Sequence, residues 1–265
     1  MKKLSYETLK EQNYSGYLLE DAPERVLQFG EGNFLRAFVD YFIDVMNEKA
    51  GFNSKVVLCQ PIGSGLSDMI NEQEGLFTLF LRGFQDGQEV NKKRVISCVS
   101  RCLNPYSDFE AVLECASNPD LRFITCNTTE AGIAYDPSCQ FTDTPANSYP
   151  GKLTQFLYRR FQKFGQEEGK GFIILSCELI DDNGKELEKC RKLCYNRSII
   201  RNAKQPLRSV RNYEFFVKFR LGGSVWQKKA AYKAWSASFS SLSIWRRTPP
   251  GSACRHWQGR PGLPK

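Results

Sequence analysis

The chain has 265 residues, of which 41% are hydrophobic, so it is long enough to build a buried core in one large domain or two small ones. It contains no run of about 18 apolar residues, which argues against a membrane span. No apolar segment follows the two lysines near the N-terminus, which argues against a secretory signal. We therefore expect a cytoplasmic protein without a membrane partner.

The net charge of +8 has an uneven origin. Residues 201–265 contain fourteen basic residues and one acid, Glu214, whereas residues 1–200 are net acidic. The basic excess is thus confined to the C-terminal segment, and we expect no nucleic-acid partner. The alternative is that the arginines and tryptophans of this segment bind single-stranded nucleic acid by charge and stacking. No recognisable nucleic-acid-binding motif supports it.

Predicted strands and helices alternate along the chain after a polar connecting segment at residues 1–24. The apolar run at 26–29 predicts a buried strand, and apolar side chains at helical spacing over 34–46 predict the helix after it. Two apolar stretches, 76–84 and 90–99, flank Asp86-Gly87 and predict a β-hairpin. The same patterns predict strands at 55–60, 121–126 and 171–176, and helices at 107–117, 152–164 and 185–194.

This alternation is typical of an α/β protein. It predicts a doubly wound, Rossmann-like, mostly parallel sheet with an inserted β-hairpin, occupying residues 1–205. Ligands of such sheets bind outside the carboxyl ends of the strands. Four segments are predicted to meet there: residues 30–34, 60–64, 127–130 and 177–183.

The first of these segments has a glycine pattern suited to a dinucleotide. Gly30 can adopt backbone angles that other residues avoid, and Gly32 lets the main chain approach a ligand closely. The N–H groups of the following helix would face a pyrophosphate. Leu35 occupies the third glycine position of the G-x-G-x-x-G fingerprint, so this helix must approach the sheet differently. The candidate cofactor-binding residues here are Gly30, Glu31, Gly32, Asn33, Phe34 and Arg36.

Two details of this site have alternative interpretations. Arg36 either neutralises phosphate or forms a surface ion pair with Asp40, four residues later. The polar residues after the strand at 121–126 either line the nicotinamide pocket or cap a helix. They are Asn127, Thr128, Thr129 and Glu130.

The second strand lacks the acid that usually binds the adenosine ribose. It ends Cys59-Gln60-Pro61, and the nearest acid after it is Asp68. The residues themselves therefore do not choose between NAD and NADP.

The ten cysteines are predicted to be structural thiols. Cys98 and Cys102, like Cys190 and Cys194, have a spacing that zinc sites allow. Neither pair has a glycine-rich knuckle, and the single histidine, His256, is far away in sequence. We therefore expect no metal site.

Several segments in one order resemble the tagaturonate reductase (altronate oxidoreductase) branch of the mannitol dehydrogenase family. They are VLQFGEGNFLRAFVDYFIDVMNE, LCQPIGSG, GLFTLFLRG, SNPDLRFITCNTTEAGIAY, SYPGKLTQFLYRRF and CELIDDNG, within residues 20–205. The resemblance implies NAD as cofactor and a small sugar acid as substrate, with hydride transfer reducing tagaturonate to altronate. It says nothing about the oligomeric state.

The resemblance also implies a catalytic motif, Lys-x4-Asn-x2-His, that this chain does not contain. The substrate-polarising asparagine of the family's S-C-D-N segment aligns with Leu179, and Asn183 lies in an Asn-Gly pair typical of a turn. We therefore identify no catalytic residue and expect the chain to be catalytically incomplete. The alternatives are a non-catalytic NAD-binding fragment, or a parent enzyme that acts on fructuronate or mannitol.

Residues 206–265 do not resemble the family, whose members continue into a largely helical second domain. The segment has no hydrophobic period, and we expect it to be disordered. We interpret it as the product of a frameshift near residues 205–210, which would also remove the helical domain. A genuine basic extension is the alternative.

Overall fold

The computed structural model describes residues 3–85, 87–165, 167–198 and 214–216. The strands in these residues are β1 (Glu24–Phe29), β2 (Lys55–Cys59), β3 (Phe77–Gln85), β4 (Gln88–Ile96), β5 (Val99–Leu103), β6 (Phe123–Cys126), β7 (Ile173–Ser176) and β8 (Glu214–Phe216). The α-helices are α1 (Tyr6–Glu11), α2 (Asn33–Leu35), α3 (Tyr41–Ala50), α4 (Ser67–Glu72), α5 (Phe109–Glu114), α6 (Glu130–Ile133), α7 (Tyr149–Phe164) and α8 (Asn183–Ser198). A π-helix (Arg36–Asp40) joins α2 to α3, and a 3₁₀ turn (Cys115–Ser117) follows α5.

Six strands form one parallel sheet in the order β5-β2-β1-β6-β7-β8. This is the order of a doubly wound dinucleotide-binding fold, so the predicted fold class is confirmed. The first strand lies centrally between β2 and β6, in agreement with the prediction of a buried strand at 26–29. The last strand, β8, falls inside the segment predicted to be a tail; the remainder of residues 206–265 lies outside the described residues, so the predicted domain boundary stays a prediction.

One hydrophobic cluster joins the sheet to the helices that cover it. Neighbouring strands contribute Leu27, Val57, Ile124 and Ile174, each fully buried. Helices α5, α7 and α8 pack against these side chains with Phe109, Val112, Leu153, Phe156 and Leu187. Burial on the sheet explains why these strands are continuous apolar runs rather than alternating ones.

Helix α7 shows how local sequence sets a helix boundary. The Ser148 hydroxyl accepts a hydrogen bond from the Gly151 N–H (3.2 Å), and Pro150 lies in the first turn, where its missing N–H costs nothing. Gly165, at φ 57°, ends the helix. The helix therefore begins before the predicted residue 152, because the cap and proline precede the apolar stripe.

The inserted hairpin is confirmed, but its second strand is shorter than predicted. Strands β3 and β4 pair antiparallel as a separate two-stranded sheet. The predicted run to residue 99 instead ends at Ile96, and the chain turns into β5, which pairs parallel with β2. The residue pattern gave no break between them, so the prediction missed β5.

The N-terminal segment is also more ordered than predicted. Ser5 and Thr8 form a reciprocal capping box, which starts α1 within the stretch interpreted as a polar connection. Leu9 of this helix packs with Leu76 and Val95 beside the hairpin. In the described part of the chain no helix is long and apolar enough to cross a membrane.

Candidate functional site

Strand register brings the four predicted ligand segments to one edge of the sheet. Phe29 is opposite Cys59 in β2 and Cys126 in β6, and Cys126 is opposite Ser176 in β7. The residues that follow these strand ends therefore leave the sheet at the same level. The predicted common position of the four segments is confirmed.

The turn after β1 has the backbone geometry that its glycines suggested. Gly30 has φ 129°, a conformation that L side chains rarely adopt, and its N–H donates to the Cys59 carbonyl oxygen (2.9 Å). Gly32 is the N-cap of α2, and no side chain caps this helix end. A Cβ added at Gly32 would meet nothing within 4 Å, so the main chain here is open to a ligand.

Leu35 explains how the helix leaves the turn without the third glycine. Its side chain is buried, and its Cδ1 would lie 3.0 Å from a Cβ placed on Gly30. The backbone then takes π spacing over Arg36–Asp40 before resuming α geometry in α3. Phe34, in contrast, is half exposed and stacks on Phe38 (5.4 Å between ring centroids).

Arg36 does not form the ion pair with Asp40 that was one of its two interpretations. Its guanidinium donates to the Glu31 carbonyl oxygen (2.8 Å) and the Asn33 Oδ1 (2.7 Å), which braces the turn from inside. Asp40 is fully buried and accepts a hydrogen bond from Gln28 Nε2 (3.3 Å). A phosphate contact by Arg36 stays a prediction.

The loop after β6 shows the helix capping that was the alternative interpretation. The Thr129 hydroxyl accepts from the Gly132 N–H (3.0 Å) and so caps α6, which Glu130 opens. Asn127 and Thr128 are partly buried at the same edge as Gly30. A cofactor contact by these residues stays a prediction.

Glu178 and Asn183 tie the ends of β6 and β7 together. Glu178 is buried and accepts from the Thr128 N–H (3.1 Å). Asn183 Nδ2 donates to the carbonyl oxygens of Ser176 (2.9 Å) and Glu178 (3.0 Å). The interpretation of Asn183 as part of a simple turn is wrong, because the buried side chain pins the first residue of α8 to the sheet.

Sequence reasoning placed residues 60–64 at the site, but it did not identify what their side chains do or that Tyr106 lies beside them. Gln60 is buried, and its amide bonds to the Ile62 carbonyl oxygen (2.7 Å) and the Ser67 N–H (3.1 Å), so it organises the loop from within. Ile62 is 59% exposed and Tyr106 is 41% exposed. The Tyr106 hydroxyl donates to the Pro61 carbonyl oxygen (2.9 Å), which places both apolar side chains at this end of the site. The sequence did contain an indication of this apolar surface, because Ile62 and Tyr106 are apolar residues in segments predicted to be loops.

The cysteines behave as buried thiols. Nine of them lie in the described residues; none of these nine forms a disulfide, and all but Cys139 are buried. Cys59 and Cys126 are the last residues of β2 and β6. Burial raises the pKa of both thiols, so they stay protonated and uncharged. The prediction of structural thiols is confirmed for these residues; Cys254 lies outside them.

Comparison with known protein families identifies the family of the sheet-forming region. The model of the mannitol dehydrogenase Rossmann domain matches residues 24–198. This range contains every strand of the parallel sheet except β8.

Curated relatives are named altronate oxidoreductase. The protein from Phocaeicola vulgatus is 54% identical over 167 residues, which is 63% of this chain and 35% of that protein. The Bacillus subtilis protein is 49% identical over the same length, and the Cronobacter sakazakii protein is 45% identical over 183 residues, or 69% of this chain and 37% of that one. The chain thus matches these relatives over about a third of their length.

Among solved structures, mannitol 2-dehydrogenase of Pseudomonas fluorescens, in a ternary complex with NAD and D-mannitol, superposes with a TM-score of 0.61. The identity is 22%, and the match covers 74% of this chain and 43% of that one. A substrate-free D-sorbitol dehydrogenase superposes with a TM-score of 0.58 at 22% identity. At this identity the likeness establishes the fold. With the match to residues 24–198, it shows that the chain belongs to the mannitol dehydrogenase family and contains its Rossmann domain.

Proposed function

We propose that this chain binds NAD(H) along the carboxyl edge of its sheet, with residues 30–34 against the pyrophosphate. The observation that supports this most directly is the open main chain at Gly32, at the N-terminus of a helix that no side chain caps. Unpaired N–H groups and the helix dipole favour an anionic group there. Gly30, with its positive φ, lets the chain turn sharply enough to present them.

The exposed side chains Ile62 and Tyr106 extend the site at the β2 end. Apolar surface that faces solvent beside a polar turn is typical of ligand-binding grooves. We assign these side chains to the adenine ring, which needs a flat apolar contact. The nicotinamide then lies towards Asn127, Thr128 and the end of β7.

We further propose that the parent enzyme transfers a hydride reversibly between NAD(H) and a sugar acid, reducing tagaturonate to altronate. Bound NADH would supply the hydride. The support is the set of relatives named altronate oxidoreductase, which are 44–54% identical over the aligned residues. The nine free thiols among the described residues fit the reducing cytoplasm, where we place the protein.

Binding is tested by titrating the purified chain with NADH and following nicotinamide fluorescence. Gly32→Asp places bulk and negative charge where we assign the pyrophosphate, so we expect it to abolish binding. The variant should fold, because a side chain at Gly32 enters open space. Gly83→Asp is the matched control, since a Cβ there also meets nothing within 4 Å and Gly83 lies on the hairpin strand β3. Equal NADH affinity in the wild type and Gly32→Asp would refute the assignment.

Turnover is a separate question, and here a non-catalytic NAD-binding fragment is the second candidate. Ketone reduction needs a proton donor and an oxyanion stabiliser beside the hydride, each of which contributes about 10²-fold or more. By the family resemblance, Leu179, which is 85% exposed, aligns with the substrate-polarising asparagine. The sequence has no Lys-x4-Asn-x2-His motif. We expect NADH to bind without tagaturonate-dependent oxidation. Robust oxidation would show that other residues of the chain catalyse the reaction; fructuronate and mannitol are assayed in parallel as the alternative substrates.

A further inference from the structure

The end of β2 offers no group to the adenosine ribose. In doubly wound folds an acid near this position accepts hydrogen bonds from the ribose hydroxyls. Here Gln60 takes its place, and its amide is engaged with Ile62, Gly63 and Ser67 inside the loop. A different side chain must therefore receive the ribose if the chain binds a dinucleotide.

Glu31, between the two glycines of the turn, reaches across to the same loop. Its Oε1 accepts a long hydrogen bond from the Leu66 N–H (3.4 Å). A Cβ added at Gly65 would lie 2.5 Å from this oxygen, so the carboxylate lies directly against Gly65. Only 6% of the residue is exposed, yet its Oε2 has no hydrogen-bond partner. Buried polar atoms are normally hydrogen-bonded, so this carboxylate oxygen is an acceptor that lacks its hydrogen-bond donor.

Asp68, the nearest acid after β2, is placed less favourably. It is exposed in the first turn of α4, and its Oδ1 accepts from the hydroxyl of Ser67 (3.4 Å). Its charge faces water, which screens it. Of these two acids, Glu31 is the one that is both desolvated and short of a donor.

We propose that Glu31 accepts the hydrogen bonds of the adenosine ribose hydroxyls and thereby selects NAD(H) over NADP(H). The inference rests on the proposed cofactor binding. The carboxylate lies beside the loop at residues 62–65, through its contact with Gly65, and this loop is exposed. The 2′-phosphate of NADP(H) brings negative charge and no hydroxyl donor to a poorly solvated carboxylate, which repels it.

The test measures dissociation constants of NADH and NADPH for the wild type, Glu31→Gln and Asp68→Asn at one pH and salt concentration. We expect the wild type to prefer NADH by about 10-fold or more, the scale of a hydrogen bond to a charged group. Glu31→Gln should lose most of this preference through weaker NADH binding and equal or tighter NADPH binding. Asp68→Asn should keep the preference. Preference retained in Glu31→Gln, or lost in Asp68→Asn, would overturn the proposal.

A shorter carboxylate gives a second, independent variant. Glu31→Asp keeps the negative charge, but its shorter side chain moves the carboxylate oxygens away from the proposed ribose position. We therefore expect it to reject NADPH still and to bind NADH more weakly. Thermal unfolding shows whether each variant is folded. If Glu31→Gln does not fold, the test depends on Glu31→Asp. An NADH affinity of Glu31→Asp equal to that of the wild type would then overturn the proposal. If the folded wild type binds neither cofactor, the proposed function fails and this inference with it. If it binds NADH and the Glu31 variants behave like the wild type, only the inference fails.

Discussion

At the level of single residues, the interior beneath the turn after β1 contains an ionisable side chain, that of Asp40, whose burial is energetically costly. Asp40 is fully buried in the π-helix, and one of its oxygens has no partner. Burial raises the pKa of Asp40 from 3.8 to about 7; the hydrogen bond from Gln28 and the charge of Arg36 oppose the rise. The same Gln28 amide donates to the Gly30 carbonyl oxygen (3.0 Å), so this carboxyl lies one side chain from the turn.

The stability of the chain should therefore depend on pH through Asp40. An acid with a higher pKa in the folded than in the unfolded chain binds more protons when folded, so its contribution falls as pH rises from about 4 to about 7. The slope is at most about 1.4 kcal/mol per pH unit. We expect Asp40→Asn to be more stable than the wild type at pH 7.5 and the difference to shrink towards pH 4.5. Urea unfolding at both pH values measures this; a difference independent of pH would contradict it.

Arg160 illustrates the opposite case, a buried charge that makes several hydrogen bonds. Its guanidinium donates to the carbonyl oxygens of Ala116, Asn118, Leu121 and Lys170 and lies against the ring of Phe164 (4.2 Å). Arg160→Met would leave these oxygens without their donor, so we expect a loss of about 3–5 kcal/mol in unfolding free energy. Arg160→Lys, which keeps the charge with fewer donors, should fall between. A loss below 1 kcal/mol for Arg160→Met, on the order of a surface substitution, would contradict this role.

At the scale of elements, the join between β1 and α2 depends on two glycines for different reasons. Gly30 needs its φ of 129°, and a Cβ there would press on Leu35 at 3.0 Å. Gly30→Ala should therefore destabilise the chain by about 1–3 kcal/mol. Gly32→Ala should change stability by about 0.5 kcal/mol or less, because its φ of −65° is ordinary and its surroundings are open. Thermal unfolding compares them, and equal effects would show that the turn is not strained at Gly30.

The elements also show which parts of this fold the sequence reveals. The buried strands β1, β2 and β6 were predictable because central parallel strands are continuous apolar runs. Strand β5 was missed because it follows the hairpin strand β4 without an intervening glycine or proline. The two strands differ only in their partners, since β4 pairs with β3 and β5 pairs with β2. Helix α1 was missed because it is short and packs a single buried residue, Leu9.

The candidate site was predictable in position but not in detail. Strand ends locate ligands in this fold class, which is why the four segments were found. Two hydrogen bonds of the site depend on side-chain directions that a sequence pattern does not contain. They are the bond from Arg36 to the Glu31 carbonyl oxygen and the bond from the Thr128 N–H to Glu178. The same holds for the partnerless oxygen of Glu31.

At the level of the whole molecule, the parallel sheet brings loops that are distant in sequence to one edge. The strand order places β1 between β2 and β6, so the segments after these three strands converge, although up to about a hundred residues separate them in sequence. The inserted hairpin forms its own two-stranded sheet and contributes no strand to that edge. We propose that NAD(H) binds at this edge of the sheet.

Hydrogen–deuterium exchange with and without saturating NADH shows where the cofactor binds, because it reports on backbone amides along the full chain. We predict slower exchange in peptides that cover residues 30–36, 60–67 and 127–133, and unchanged exchange in the hairpin strands β3 and β4. Gly32→Asp should remove the effect at every one of these segments. Unchanged exchange at the sheet edge in the presence of NADH, or slowing confined to the hairpin, would contradict the account.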